Sequence, residues 1–117
     1  MDIMQATAVA LGRKIKEKEI TAVEAVEASL AAIRSREPQV NSFLAIDEEG
    51  AIERAREVQR EIEAGRLAGP LAGVPVAIKD NLCPRELRTT CASQILANYI
   101  PTYTAQAVKR LEAAGAV

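Results

Sequence analysis

At Gly69 the sequence changes character: charged, helix-periodic residues give way to Gly69-Pro70-Leu71-Ala72-Gly73 and then to the unbroken apolar run Val74-Pro75-Val76-Ala77-Ile78. A short apolar run bounded by glycine and proline reads as a strand buried on both faces. Pro75 has no N–H to give to a ladder and is expected at the strand's beginning or on an edge. A strand of this kind needs neighbouring strands and covering helices, so the expected class is α/β. Lys79-Asp80-Asn81 follows at its C-terminal end, where open α/β sheets bind ligands.

Residues 1–66 are mostly helical in pattern. Met4, Ala8, Leu11 and Ile15 recur at helical spacing and predict a first amphipathic helix over Ile3–Glu17. Thr21 and Glu24 form a capping box that starts a second helix, with Val23, Val26, Leu30 and Ile33 as its stripe and Pro38 beyond its end. The run from Val40 to Ile46 is a candidate strand. Asp47 caps a third helix, with Glu48 and Glu49 in its first turn, Ile52, Ala55, Val58 and Ile62 on one face, and Gly65 at its end. The charges Glu53, Arg54, Glu57 and Arg60 form a solvated face rather than a binding patch.

Beyond the apolar run, a polar loop spans Cys83 to Cys91, and Ser93 is expected to cap a short helical segment reaching Asn98. Thr104 is expected to cap a last helix that carries Ala107, Val108 and Leu111 inward and ends at Gly115. Ala116 and Val117 begin what reads as a second strand, which a strand-helix-strand progression would pair with the first. Because it stops after two residues, the chain is expected to be a piece of a larger α/β domain.

Counts remove several function classes. The net charge is −1, from 15 basic and 16 acidic residues interspersed, and aromatics make up 3%, so direct nucleic-acid binding by this segment is not expected. There is no histidine, which excludes a Ser-His-Asp or Cys-His arrangement and any His-containing metal site built from these residues. A nucleophilic reaction here needs another base, and lysine is the candidate. Cys83 and Cys91 match no zinc spacing and are expected to be free thiols, with a disulfide as the alternative. No secretory leader and no span long enough for a bilayer is evident, and the expected location is cytoplasmic, with no membrane partner.

By pattern alone, a lysine at a strand end is a solvent-facing residue and Asp80-Asn81 is a turn. The segment from Leu71 to Asn81, reading L-A-G-V-P-V-A-I-K-D-N, nevertheless resembles the lysine-bearing motif of the amidase-signature enzymes, L-x-G-[IV]-P-[IV]-x-[IV]-K-D-N. Thr89-Thr90-Cys91-Ala92-Ser93, Ile95 to Tyr99 and Ala113 to Val117 resemble the A subunits of tRNA-dependent amidotransferases more than general amidases. The T-A-V-E helix start and the Val40-Asn41-Ser42-Phe43 run fit as well, so the resemblance extends over essentially the whole chain.

That resemblance implies a mixed central sheet flanked by helices, of which residues 1–117 are the N-terminal part of a single amidase domain, ending before the serine segment. It implies that Lys79 is the base of a triad with a nucleophilic serine and a bridging serine in a cis peptide bond. It further implies glutamine as substrate, the B and C subunits of the amidotransferase as partners, tRNA reached through that complex, and ATP with magnesium at the B subunit, with no cofactor in this chain. Burial and hydrogen bonding would have to lower the lysine pKa for this role. Both serines are expected in a Gly-Ser-rich segment beyond position 117, and Ser29, Ser35, Ser42 and Ser93 lie in no such motif, so the segment alone is expected to be inactive. Two positions depart from the family pattern. Glu86 stands where glycine is usual, and Thr104 where aspartate commonly precedes the next helix. A general carboxamide hydrolase and a non-catalytic helical interaction module are the alternative readings.

Overall fold

The computed structural model describes residues 2–117. A single 3-10 turn, Ile3–Gln5, precedes four α-helices: α1 (Ala8–Lys16), α2 (Ala22–Val40), α3 (Glu48–Glu63) and α4 (Gln106–Ala113). The continuous first helix expected over 3–17 is therefore broken. The Thr7 hydroxyl accepts the Ala10 N–H at 3.2 Å and starts α1 afresh, because a short polar side chain competes for the backbone donors of a first turn. Met4 and Ala8 are exposed, while Leu11 and Ile15 are buried and Ile3 and Ala6 pack beside them.

α2 begins at the expected capping box, with the Thr21 hydroxyl accepting the Glu24 N–H and the Glu24 carboxylate accepting the Thr21 N–H at 2.8 Å. It does not stop before Pro38. Proline is costly in a helix interior, but here it lies exposed in the last turn. Termination falls instead to Asn41, at φ +51, whose N–H donates to the Glu37 carbonyl at 2.8 Å. The Glu37 carboxylate then accepts the Phe43 N–H at 2.6 Å and the Ser42 hydroxyl at 3.0 Å. With Val40 held in the helix, Phe43 held by Glu37 and the Leu44 carbonyl accepting from Arg88, the expected strand at 40–46 does not form.

α3 starts at Asp47, whose carboxylate accepts the Gly50 N–H at 3.0 Å, and it buries Ala55 and Val58 as expected. Ala22, Val26, Leu30 and Ala55 form the core shared by α2 and α3, and Leu11, Ile15, Ala25 and Val74 form a second cluster that brings α1 and the 74–78 run together. Each fully buried Val, Leu or Ile stabilises the fold by roughly 1.5–3 kcal/mol. The charged face of α3 is outside, although the Arg54 guanidinium reaches the Glu112 carbonyl at the end of α4, at 2.7 Å.

Among the described residues no strand is formed, so the 74–78 strand and the sheet are not present as expected. A ladder needs neighbours, and only Val117 lies alongside: its N–H donates to the Val74 carbonyl at 3.0 Å and its carbonyl accepts the Val76 N–H at 2.7 Å. Two bonds flanking Pro75 from one residue are the local pattern of parallel pairing, and the absent N–H of Pro75 falls on the other side of the segment. The 93–98 segment is a series of turns rather than a capped helix, with Leu96 N–H to Ser93 carbonyl at 3.1 Å and Tyr99 N–H to Leu96 carbonyl at 2.9 Å. Thr104 does not cap α4. Ala105 occupies that position without a side-chain bond, and the Thr104 hydroxyl accepts the Arg85 N–H at 3.2 Å. α4 buries Val108 but leaves Ala107 exposed, and Gly115, at φ +82, closes it as expected.

The Lys79 segment as candidate active site

Lys79 is carried by a segment anchored on both sides. Upstream, Val74 is sunk among Leu11, Ile15 and Ala25, the Gly73 N–H donates to the Gly115 carbonyl at 2.8 Å, and Val76 is bonded to Val117. Downstream, the Leu82 N–H returns to the Lys79 carbonyl at 3.0 Å, which makes Asp80-Asn81 the centre of a turn, as the pattern suggested. The Lys79 side chain is exposed. Among the described residues no serine is bonded to this segment through its hydroxyl: Ser29 and Ser35 bond carbonyls of their own helix and Ser42 bonds Glu37.

Sequence reasoning missed the part played by Asp80. The Asp80 carboxylate accepts the Thr90 N–H at 2.8 Å, the Thr90 hydroxyl and, at 3.4 Å, the Ala92 N–H, while its main-chain carbonyl accepts the Cys91 N–H at 2.8 Å. The hydrogen bonds from Thr90, side chain first, hold the Asp80 carboxyl below its ordinary value of 3.8. Thr90 is buried, and Thr89 is 2% exposed with its hydroxyl donated to the Leu87 carbonyl. The only sequence signal for this hub was a polar Thr-Thr pair about ten residues after an aspartate at the end of an apolar run, which also fits an ordinary loop.

From Cys83 to Ala105 the chain makes an excursion closed by main-chain bonds: Ala105 N–H to Cys83 carbonyl at 2.7 Å, Glu86 N–H to Pro101 carbonyl and Thr89 N–H to Tyr99 carbonyl, both at 3.1 Å. Cys83 and Cys91 are free thiols, and Cys83 Sγ hydrogen-bonds the Tyr103 hydroxyl at 3.5 Å; that bond, and then the Coulombic effect of Cys83, push the phenol's pKa up. Glu86 lies at φ +67, so the position where the family pattern has glycine is left-handed here. That conformation costs a non-glycine residue roughly 1–2 kcal/mol, against about 0.5–1 kcal/mol for glycine's extra freedom in the unfolded chain. The Glu86 side chain is 80% exposed, with a 3.5 Å surface pair to Arg85 as its compensation. Glu86→Gly is therefore expected to stabilise the protein by about 0.5–1 kcal/mol, read as a rise in urea midpoint at constant slope. A fall in midpoint would show that the side chain contributes more than its exposure implies.

Comparison with known proteins shows the family and the fold. The amidase family model matches residues 24–117. A protein of Agathobacter rectalis, named as the A subunit of glutamyl-tRNA(Gln) amidotransferase, is 62% identical over 117 residues, covering 100% of this chain and 23% of that protein. One of the same name from Lachnoclostridium phytofermentans is 51% identical, again over 100% of this chain and 24% of its own length. Among solved structures, native peptide amidase from Stenotrophomonas maltophilia superposes with a TM-score of 0.89 at 29% identity, covering 97% of this chain and 23% of that one. A peptide amidase bound to the competitive inhibitor chymostatin gives 0.91 at 28% identity, over 100% and 24%. The chain thus spans about a quarter of the length of the relatives it matches. With a family match over most of its residues and the K-D-N motif at the end of an anchored segment, the chain belongs to the amidase family.

Proposed function

We propose that this chain is the lysine-bearing segment of the glutamine-hydrolysing subunit of a tRNA-dependent amidotransferase. The observation that carries the reading is the whole-length 62% identity to a protein of that name, together with the intact Lys79-Asp80-Asn81 at the end of the anchored run. Lys79 acts as the base. Its neutral Nζ accepts a proton from a bridging serine hydroxyl, which takes one from the nucleophilic serine as that serine attacks the side-chain amide carbonyl of glutamine. The proton then passes back to the departing nitrogen, ammonia leaves, and water hydrolyses the acyl ester. Because Lys79 is exposed among the described residues, this role requires further chain to enclose it and to supply both serines. These 117 residues alone are therefore inactive.

The released ammonia serves the amidation of glutamyl- or aspartyl-tRNA held by the partner B and C subunits in the cytoplasm, with ATP and magnesium at the B subunit. The test is substrate choice by the assembled enzyme. Glutamine hydrolysis should exceed that of a C-terminal peptide amide by about 10²-fold or more in kcat/KM, since a site with polar groups for the amino-acid head rejects ligands that leave those groups unpaired. Preference for the peptide amide would replace this reading with that of a general amidase.

A further inference from the structure

Lys79 is exposed and reaches its ammonium through a long flexible stem, so the position of its Cα decides where Nζ can go. Upstream of it the nearest anchor is the pair of bonds between Val117 and the Val74–Val76 stretch. Downstream the anchor is Asp80, the next residue, and it is held through both its carboxylate and its main-chain carbonyl by the single turn Thr90-Cys91-Ala92. That turn is itself unusual. Cys91 at φ +50 and Ala92 at φ +55 are consecutive left-handed residues, neither of them glycine, and such a pair persists only where surrounding bonds over-determine it. The Asp80 carboxylate supplies such bonds, and the Thr90 hydroxyl, which also accepts the Ala92 N–H at 3.2 Å, ties the turn's two ends together.

We propose that Asp80 is a positioning residue for the base: by clamping the Thr90–Ala92 turn with four hydrogen bonds, it fixes the main chain that carries Lys79. It takes no proton in the reaction. The proposal rests on the reading of Lys79 as the base and adds how that base is held. Misplacing a reacting group by about 1 Å costs roughly 10²-fold in rate.

The test uses the full-length enzyme assembled with its partners. Asp80→Asn keeps an acceptor for the Thr90 N–H but loses the charge and one acceptor oxygen, Thr90→Val removes only the hydroxyl from a buried site, and Thr90→Ser restores it. Glutamine kcat is expected to fall about 10²-fold in Asp80→Asn and about 10-fold in Thr90→Val, with the glutamine KM within about threefold and amidation from added ammonia retained. The Thr90→Ser variant should recover to within about threefold. Because both residues act through one bond network, the double variant should be no worse than Asp80→Asn alone. Two results overturn the proposal: near-normal kcat in Asp80→Asn, or losses that multiply in the double variant. Lys79→Arg, run alongside, separates the two readings. Hydrolysis surviving in that variant refutes the base, whereas its loss combined with an unaffected Asp80→Asn refutes only the clamp.

Discussion

Replacing Lys79 by arginine should abolish glutamine hydrolysis, lowering kcat/KM by about 10³-fold or more, the upper part of the range for loss of a general base. Arginine keeps the positive charge and a similar reach, but its guanidinium stays protonated at any accessible pH and cannot accept a proton. With no histidine anywhere in the 117 residues, none of them offers an imidazole to substitute. Amidation of tRNA from added ammonia should largely persist, because external ammonia bypasses the hydrolytic step. The measurement is ammonia release from glutamine beside ammonia-dependent transamidation in the same preparation. A Lys79→Arg enzyme with near-normal hydrolysis would mean that the side chain contributes charge or packing only.

Gly73→Ala should destabilise the fold by about 3 kcal/mol. Two costs combine there. The backbone lies at φ +79, worth roughly 1–2 kcal/mol against an L side chain, and an added Cβ would stand 2.8 Å from the Ala22 Cβ and 3.1 Å from the Ile15 Cγ2. Ala22 and Ile15 are 0% and 1% exposed, so neither can retreat into solvent, and overpacking a closed core costs about 1–3 kcal/mol. Gly65 separates the two terms, because it has a similar φ of +74 but nothing within 4 Å of its would-be Cβ. Gly65→Ala should therefore lose only about 1 kcal/mol, from the backbone alone. Equal losses for the two variants in urea denaturation would remove the steric part of the argument. The Gly73 variant should also lose hydrolytic activity, since the displaced main chain leads directly into the segment that carries Lys79.

The helices were legible in the sequence where the deciding interactions are local. The Thr21–Glu24 capping box, the Asp47 start of α3, the left-handed Gly115 after α4 and the Val26, Leu30, Ala55 and Val58 faces all depend on residues within a turn or two of each other. The differences arise where a local rule has a distant or a competing partner. Thr104 is a competent cap, but its hydroxyl is taken by the Arg85 N–H across the loop. Pro38 is a helix breaker by rule, but an exposed last turn tolerates it and Asn41 ends the helix.

The candidate site divides in the same way. Lys79 could be singled out from the sequence because the motif around it is contiguous, running from Leu71 to Asn81, and because the absence of histidine left lysine as the available base. Asp80 could not, because its role depends on Thr90 and Ala92, and nothing in their composition tells a clamped turn from a free loop. The same holds for the apolar run at 74–78, whose single lateral partner among the described residues is Val117, and for Glu86 at φ +67. Short-range periodicity, the Thr21 and Asp47 caps and residue chemistry were thus determined by the sequence alone. Which side chain meets which carbonyl across long stretches of chain was decided by tertiary structure, because hydrogen bonds and close contacts depend on distances that folding alone sets.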